Sequence, residues 1–187
     1  MRTPEHLDGN IELTLSFPAS MRSDAFAALS IFPESPHRSE TFQVWIEGEI
    51  VSIPQRIYHD PIQIDTRRLS IIQRELAHAL LTRHADGFVR QSSLSNILSS
   101  QGIWIPPFVV QLVGEYVIEI AADIQAALSR LNRAQYGSFI RANPVFLTKT
   151  RQRATSYWNC YYRHRCEWKN YPGKQILDFF EVISKTE

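Results

Sequence analysis

The chain has 187 residues, 44% of them apolar, and a length suited to one folded unit that buries roughly 70% of its unfolded surface without disulfide or metal staples, so a disordered chain is excluded. Two cysteines do not frame a secreted scaffold, residues 1–13 are broken by charge with no apolar leader segment, and no apolar run approaches the ~18 residues of a spanning helix, so a cytoplasmic protein with reduced thiols and no membrane partner is expected. The net charge of +1 is unevenly spread, because residues 1–129 sum to −6 while residues 130–174 sum to +9.

Six of the ten prolines precede Thr66 and none lies between Thr66 and Ile105, which divides the chain into a strand- and loop-rich region, 1–65, and a helical region, 66–187, within one folded unit. Residues 11–17 alternate apolar and polar, the pattern of a half-buried strand. A helical turn or two fits 24–31, and 30–40, with two prolines among Ser, Glu and Arg, reads as an exposed loop. Residues 41–46 and 49–53 flank Glu47-Gly48 as a hairpin, with Pro54 ending the second strand. A short extended piece, 55–58, follows.

Ser70 and Gln73 have capping-box spacing, predicting a helix over 70–84 with Ile72, Leu76, Ala79 and Leu80 on its apolar face and Gly87 as its stop. A short helix follows over 91–98. Pro106 and Pro107 start the longest predicted helix, 107–131, whose Val109, Val113, Val117, Ile120, Ile124, Ala127 and Leu131 share one side, with Glu115, Glu119 and Asp123 opposite. Asn143-Pro144 starts another, reaching about residue 165, with Phe146, Leu147, Ala154, Tyr157, Trp158 and Tyr161 inward. A last short helix fits 175–183. The expected fold class is therefore α+β, mainly α, with an N-terminal β-hairpin or small antiparallel sheet packed on a bundle of four to five helices.

The segment 150–171 interleaves four Arg and one Lys with four Tyr and two Trp. Arginine forks pair bidentately with carboxylate or phosphate, and Trp, Tyr and Arg dominate protein interfaces. Arg151, Arg153, Tyr162, Arg163, His164, Arg165, Trp168 and Lys169 are thus the candidate binding residues. The leading expectation is a non-enzymatic binding protein that holds an acidic protein partner, as in a regulatory or toxin-neutralising complex. The same mixture suits RNA or single-stranded DNA, and the helix pair around Asp86-Gly87 permits a helix-turn-helix. An opposing expectation is that the segment only neutralises the acidic front of the chain.

Other patterns are weaker. Glu75 and His78 have Glu-x-x-His spacing and, with Glu115 and Glu119, would make a metal-dependent enzyme, although such sites need a second motif and a solvated pair fits better. The repulsion within Glu115, Glu119 and Asp123 is expected to be met by solvent or by arginines of 130–165. Cys160, His164 and Cys166 lack zinc-site spacing. No nucleophile elbow, phosphate-binding glycine loop or metalloprotease motif occurs, so no catalytic residue, metal or cofactor is assigned.

Overall fold

A computed structural model of the chain describes residues 9–33, 35, 37 and 39–186. Residues 1–8 of the stretch 1–13 and three positions of the 30–40 loop lie outside the described residues. The fold is α+β and mainly helical, with one two-stranded antiparallel sheet among the described residues. No described helix is long and apolar enough to cross a membrane.

The stretch expected as a first strand is helical. It forms α1 (Gly9–Leu13) and then a 3-10 turn (Thr14–Ser16), which leads through a second 3-10 turn into α2 (Arg22–Leu29). Two-residue alternation over so short a run does not hold against packing: the turn seats against the second hairpin strand, and Phe17 stacks on Phe108 at 5.6 Å between centroids. Strand β1 (Thr41–Ile46) and strand β2 (Glu49–Pro54) are the expected hairpin, in register Ile46↔Glu49 to Thr41↔Pro54. Glu47 and Gly48 both adopt positive φ, 47° and 85°, as the tight right-twisted turn requires.

Helix α3 (Ile71–Leu81) carries the expected capping box, with the Gln73 N–H donating to Ser70 Oγ and the Ser70 N–H to Gln73 Oε1, both at 3.2 Å. It stops before residue 84, and its apolar face begins at Leu76, because Ile71 and Ile72 are exposed. Gly87 is not a stop. It opens α4 (Gly87–Ile97), capped by Asp86, whose Oδ1 accepts the Phe88 N–H at 2.8 Å.

The long helix over 107–131 is two helices, α5 (Pro106–Val113) and α6 (Ile118–Ala127), because the backbone turns at Gly114 to carry Glu115 inward. Every residue of α5 is buried, which makes it the axis of the core, while Ile120, Ile124 and Ala127 keep the α6 face that periodicity assigns. An unexpected α7 (Arg133–Ala142) follows, capped by Asn132. Helix α8 (Pro144–Tyr157) starts at the expected Asn143-Pro144 and ends in a π-helical turn (Trp158–Tyr162). Helix α9 (Pro172–Ser184) closes the chain against α6, α7 and α8. The 66–187 region thus holds seven α-helices, shorter and more numerous than the four or five drawn from periodicity.

Helices α7 and α9 cross closely at Gly137, where a Cβ would lie 2.6 Å from the Ile183 carbonyl oxygen. Alanine in a helix interior is otherwise favoured over glycine by about 1 kcal/mol. Gly137→Ala is expected to reverse that sign and destabilise by about 1–3 kcal/mol, because backbone must move apart; urea unfolding of the two proteins measures it.

Candidate functional site

The most unusual chemistry in the chain is a buried carboxylate among arginines. Glu115, 4% exposed, sits at the break between α5 and α6. Its Oε1 accepts from Arg83 Nη2 at 2.8 Å and from Arg56 Nη1 at 2.9 Å, and Arg90 Nε lies 2.8 Å from Oε2 at an angle that misses a hydrogen bond. Arg83 and Arg90 are fully buried. Burial alone would raise the Glu115 pKa, but Arg83, Arg56 and Arg90 together hold it below the usual carboxylate value.

Backbone carbonyls meet part of the cationic excess, while Arg83 Nη1 and Arg90 Nη2 are buried with no hydrogen-bond partner among the described residues. Arg83 donates to the Gln55 carbonyl at 2.9 Å, Arg56 to the same oxygen at 2.8 Å, and Arg90 to the His84 and Ala85 carbonyls, each at 2.8 Å. Arg90 also lies 5.9 Å from the centroid of the Tyr116 ring. This arrangement corrects two expectations. Glu115 is neither on an exposed stripe nor paired with arginines of 130–165, since its partners come from the end of the hairpin and from the α3–α4 region. Glu119 and Asp123 remain on the surface, where Asp123 accepts from Gln91 at 2.8 Å.

The eight candidate binding residues divide into three groups. Arg151 is turned inward to Glu181 of α9, at 2.6 Å. Arg153 lies over Gly114, half-buried, donates to Gln111 Oε1, and has a buried Nε with no hydrogen-bond partner among the described residues. It lines a cleft of about 730 Å³ between β1 and α8 and does not belong to the C-terminal surface.

Tyr162 and Trp168 are half-buried and serve as structure. The Tyr162 hydroxyl donates to the Tyr116 carbonyl at 2.6 Å, and burial raises its pKa. The Tyr162 ring stacks on Tyr171 at 5.7 Å, Tyr171 stacks on Trp168 at 5.7 Å, and Trp168 meets Trp158 at 5.4 Å. Burial lifts the Tyr171 phenol to about 12. Tyr157 and Trp158 are half-buried, and Tyr161, expected inward, is 60% exposed. The π-helical turn accounts for that change, because its wider hydrogen-bonding (Arg163 N–H to the Trp158 carbonyl, 2.9 Å) shifts the residues after 157 out of α-helical phase.

Arg163, His164, Arg165 and Lys169 form the exposed remainder. Arg163 reaches His164 Nε2 at 3.2 Å, and Lys169 pairs with Glu167 at 2.8 Å in the open, where such a pair contributes little. Among the described residues no carboxylate pairs with Arg163 or Arg165.

The weaker patterns resolve differently. Glu75 accepts from the Ser100 hydroxyl at 2.8 Å, and His78 has a buried Nδ1 with no hydrogen-bond partner among the described residues and a pKa lowered by burial and then by Arg74. Among the described residues no three His, Cys, Asp or Glu side chains are grouped to hold a metal, and Glu115 is already engaged by arginines. Cys160 and Cys166 are free thiols. In α4, Arg90 is consumed by the ion cluster and Ser93 is buried, which removes both from any groove-reading face.

The Arg–Glu cluster was missed because its members lie far apart in sequence. The one signal available was a glycine followed by a glutamate in the middle of an otherwise continuous apolar helix. Glu115→Gln is expected to destabilise the protein by about 3–5 kcal/mol, because it leaves buried guanidinium charge uncompensated. Since the folded-state pKa of Glu115 is depressed from 4.5, its contribution is fully present above that value and declines as the pH falls below it. Acid titration of unfolding should therefore show a shallower loss of stability in Glu115→Gln than in the wild type.

No protein-family model, curated protein or solved structure matches the chain.

Proposed function

We propose that the protein is a non-enzymatic, cytoplasmic binding protein that holds an acidic protein partner on the surface carrying Tyr161, Arg163, His164, Arg165 and Lys169. The observation that carries this reading is the contrast among the arginines of one segment. Arg151 is neutralised by Glu181, while Arg163 and Arg165 stand exposed with no carboxylate paired to them among the described residues. Internal charge balance therefore does not account for the two arginines nearest the turn. Guanidinium forks held there suit the paired oxygens of Asp and Glu side chains.

The turn that presents them is braced. Besides the Tyr162 hydroxyl on Tyr116, the Trp158 indole N–H donates to the Cys166 carbonyl at 3.0 Å, which ties the two ends of the exposed segment together. A braced surface loses less conformational freedom on association. A protein partner is favoured over nucleic acid by the state of the rings. Of the six aromatic residues in 150–171 only Tyr161 is exposed, and the others are stacked on one another or half-buried, leaving few faces on which bases can stack.

Affinity capture from native lysate, with nuclease and without it, tests this reading. The expected result is a nuclease-resistant protein partner with an acidic surface, whose affinity falls at least tenfold in Arg163→Glu/Arg165→Glu. Both positions are exposed, so the melting curve of the double variant should stay within about 0.5 kcal/mol of the wild type. Unchanged binding by the double variant overturns the reading. Capture abolished by nuclease, with affinity falling steeply with salt, would reassign the surface to nucleic acid.

A further inference from the structure

The cleft between β1 and α8 is separate from that surface and has its own chemistry. It is bounded by the free edge of β1 and by the first turns of α8, with Gln111 of α5 and Gln55 at its base. Lys149 and Arg153 stand four residues apart on the same face of α8 and both line it. Among the described residues no Asp or Glu lines the cleft. Among the described residues Lys149 is exposed with no hydrogen-bond or ion-pair partner, and the one hydrogen bond of the Arg153 guanidinium goes to the neutral Gln111, which in turn donates to Gln55 Oε1 at 3.0 Å, while Glu115 acts on Arg153 only through space. Behind them lies the Arg56, Arg83 and Arg90 cluster, whose charge the single Glu115 does not cancel.

The backbone on the opposite wall is an unpaired strand edge. In a two-residue hairpin the residues flanking the loop, here Ile46 and Glu49, exchange both backbone hydrogen bonds, and bonded pairs then alternate along the ladder. Val44 and Phe42 are therefore bonded to β2, while Trp45, Gln43 and Thr41 turn their N–H and C=O groups to the free edge. The Asn143 side chain shows what that edge accepts. Its Oδ1 takes the Trp45 N–H at 2.8 Å and its Nδ2 donates to the Trp45 carbonyl at 2.9 Å, so the amide occupies the place of a neighbouring strand at one position. The ladder stops there. Among the described residues the backbone groups of Gln43, two residues along, meet no such partner, and Gln43 lines the cleft.

We infer that this cleft binds an extended acidic peptide segment, which adds as a third strand along β1 at Gln43 and places a carboxylate between Lys149 and Arg153. Main-chain hydrogen bonds supply affinity in such strand addition, and side-chain pockets supply specificity. The volume of about 730 Å³ lies within the ~300–1,000 Å³ typical of ligand sites. The charge lining it selects an acidic segment over a neutral or basic one. None of the residues assigned to the C-terminal surface lines the cleft, so the two sites stand or fall independently.

Selection of random eight-residue peptides displayed on phage, using the full chain as bait, tests the inference. The expected result is enrichment of proline-poor sequences carrying Asp or Glu. Their binding should slow hydrogen exchange of the Gln43 amide at least tenfold, as read by NMR. Affinity should fall at least tenfold in Lys149→Glu, an exposed change that leaves the fold intact, and in Arg153→Gln. It should be unaltered in Arg163→Glu/Arg165→Glu. Any of four results overturns the inference: no enrichment, enrichment without acidic residues, unchanged exchange at Gln43, or unchanged affinity in Lys149→Glu. Saturable binding of inorganic phosphate with no peptide enriched would mark a small-anion site instead and equally overturn it.

Discussion

The carboxylate of Glu115 is the point at which separate parts of the chain are fixed to one another. Through Arg56 it holds the chain leaving β2, through Arg83 the end of α3, and through Arg90 the start of α4, while Glu115 itself interrupts the α5–α6 path. Hydrophobic packing around α5 supplies most of the burial, but it is non-directional. The ion cluster is directional, and its short contacts join the hairpin, the α3–α4 corner and the α5–α6 corner at one carboxylate. The adjacent parallel bridge between Ile57 and His84, with the Ile57 N–H on the Arg83 carbonyl at 3.0 Å, reinforces the same junction.

Helix α8 connects this junction to both binding regions. It passes close to Gly114, where a Cβ would lie 3.2 Å from the Thr150 carbonyl oxygen, so the residue beside the buried glutamate also sets how near α8 can come. From that seat its early turns present Lys149 and Arg153 to the β1 edge. Its late turns pass into the π-helical turn that swings Tyr161 outward and stacks Tyr162 inward. One helix therefore carries two kinds of cationic surface, one recessed beside a strand edge and one on an exposed turn.

The division of aromatic residues follows the same logic. The rings of this segment meet one another in a run from Tyr116 through Tyr157, Tyr161, Tyr162 and Tyr171 to Trp168 and Trp158, with Trp168 also packed against the main core. A compact ring cluster of this kind lets a segment rich in Arg keep a fixed shape at the surface, since the cations need not be buried for the turn to be ordered.

Local chemistry made the hairpin at Glu47-Gly48, the Ser70 capping box, the Asn143-Pro144 helix start and the apolar side of 120–131 readable from the sequence, because each depends on residues within a few positions of one another. The mainly helical α+β class followed from them. What tertiary contacts decided was whatever depended on distant partners. Residues 11–16 became helical against β2, with Phe17 stacked on Phe108, and the 107–131 helix broke so that Glu115 could reach arginines 25, 32 and 59 residues away in sequence. Arg151 and Arg153 left the exposed cationic set for partners on α9 and α5. Periodicity reports which face of a segment is apolar, and it is blind to a charge that turns inward because charges of the opposite sign are already waiting there.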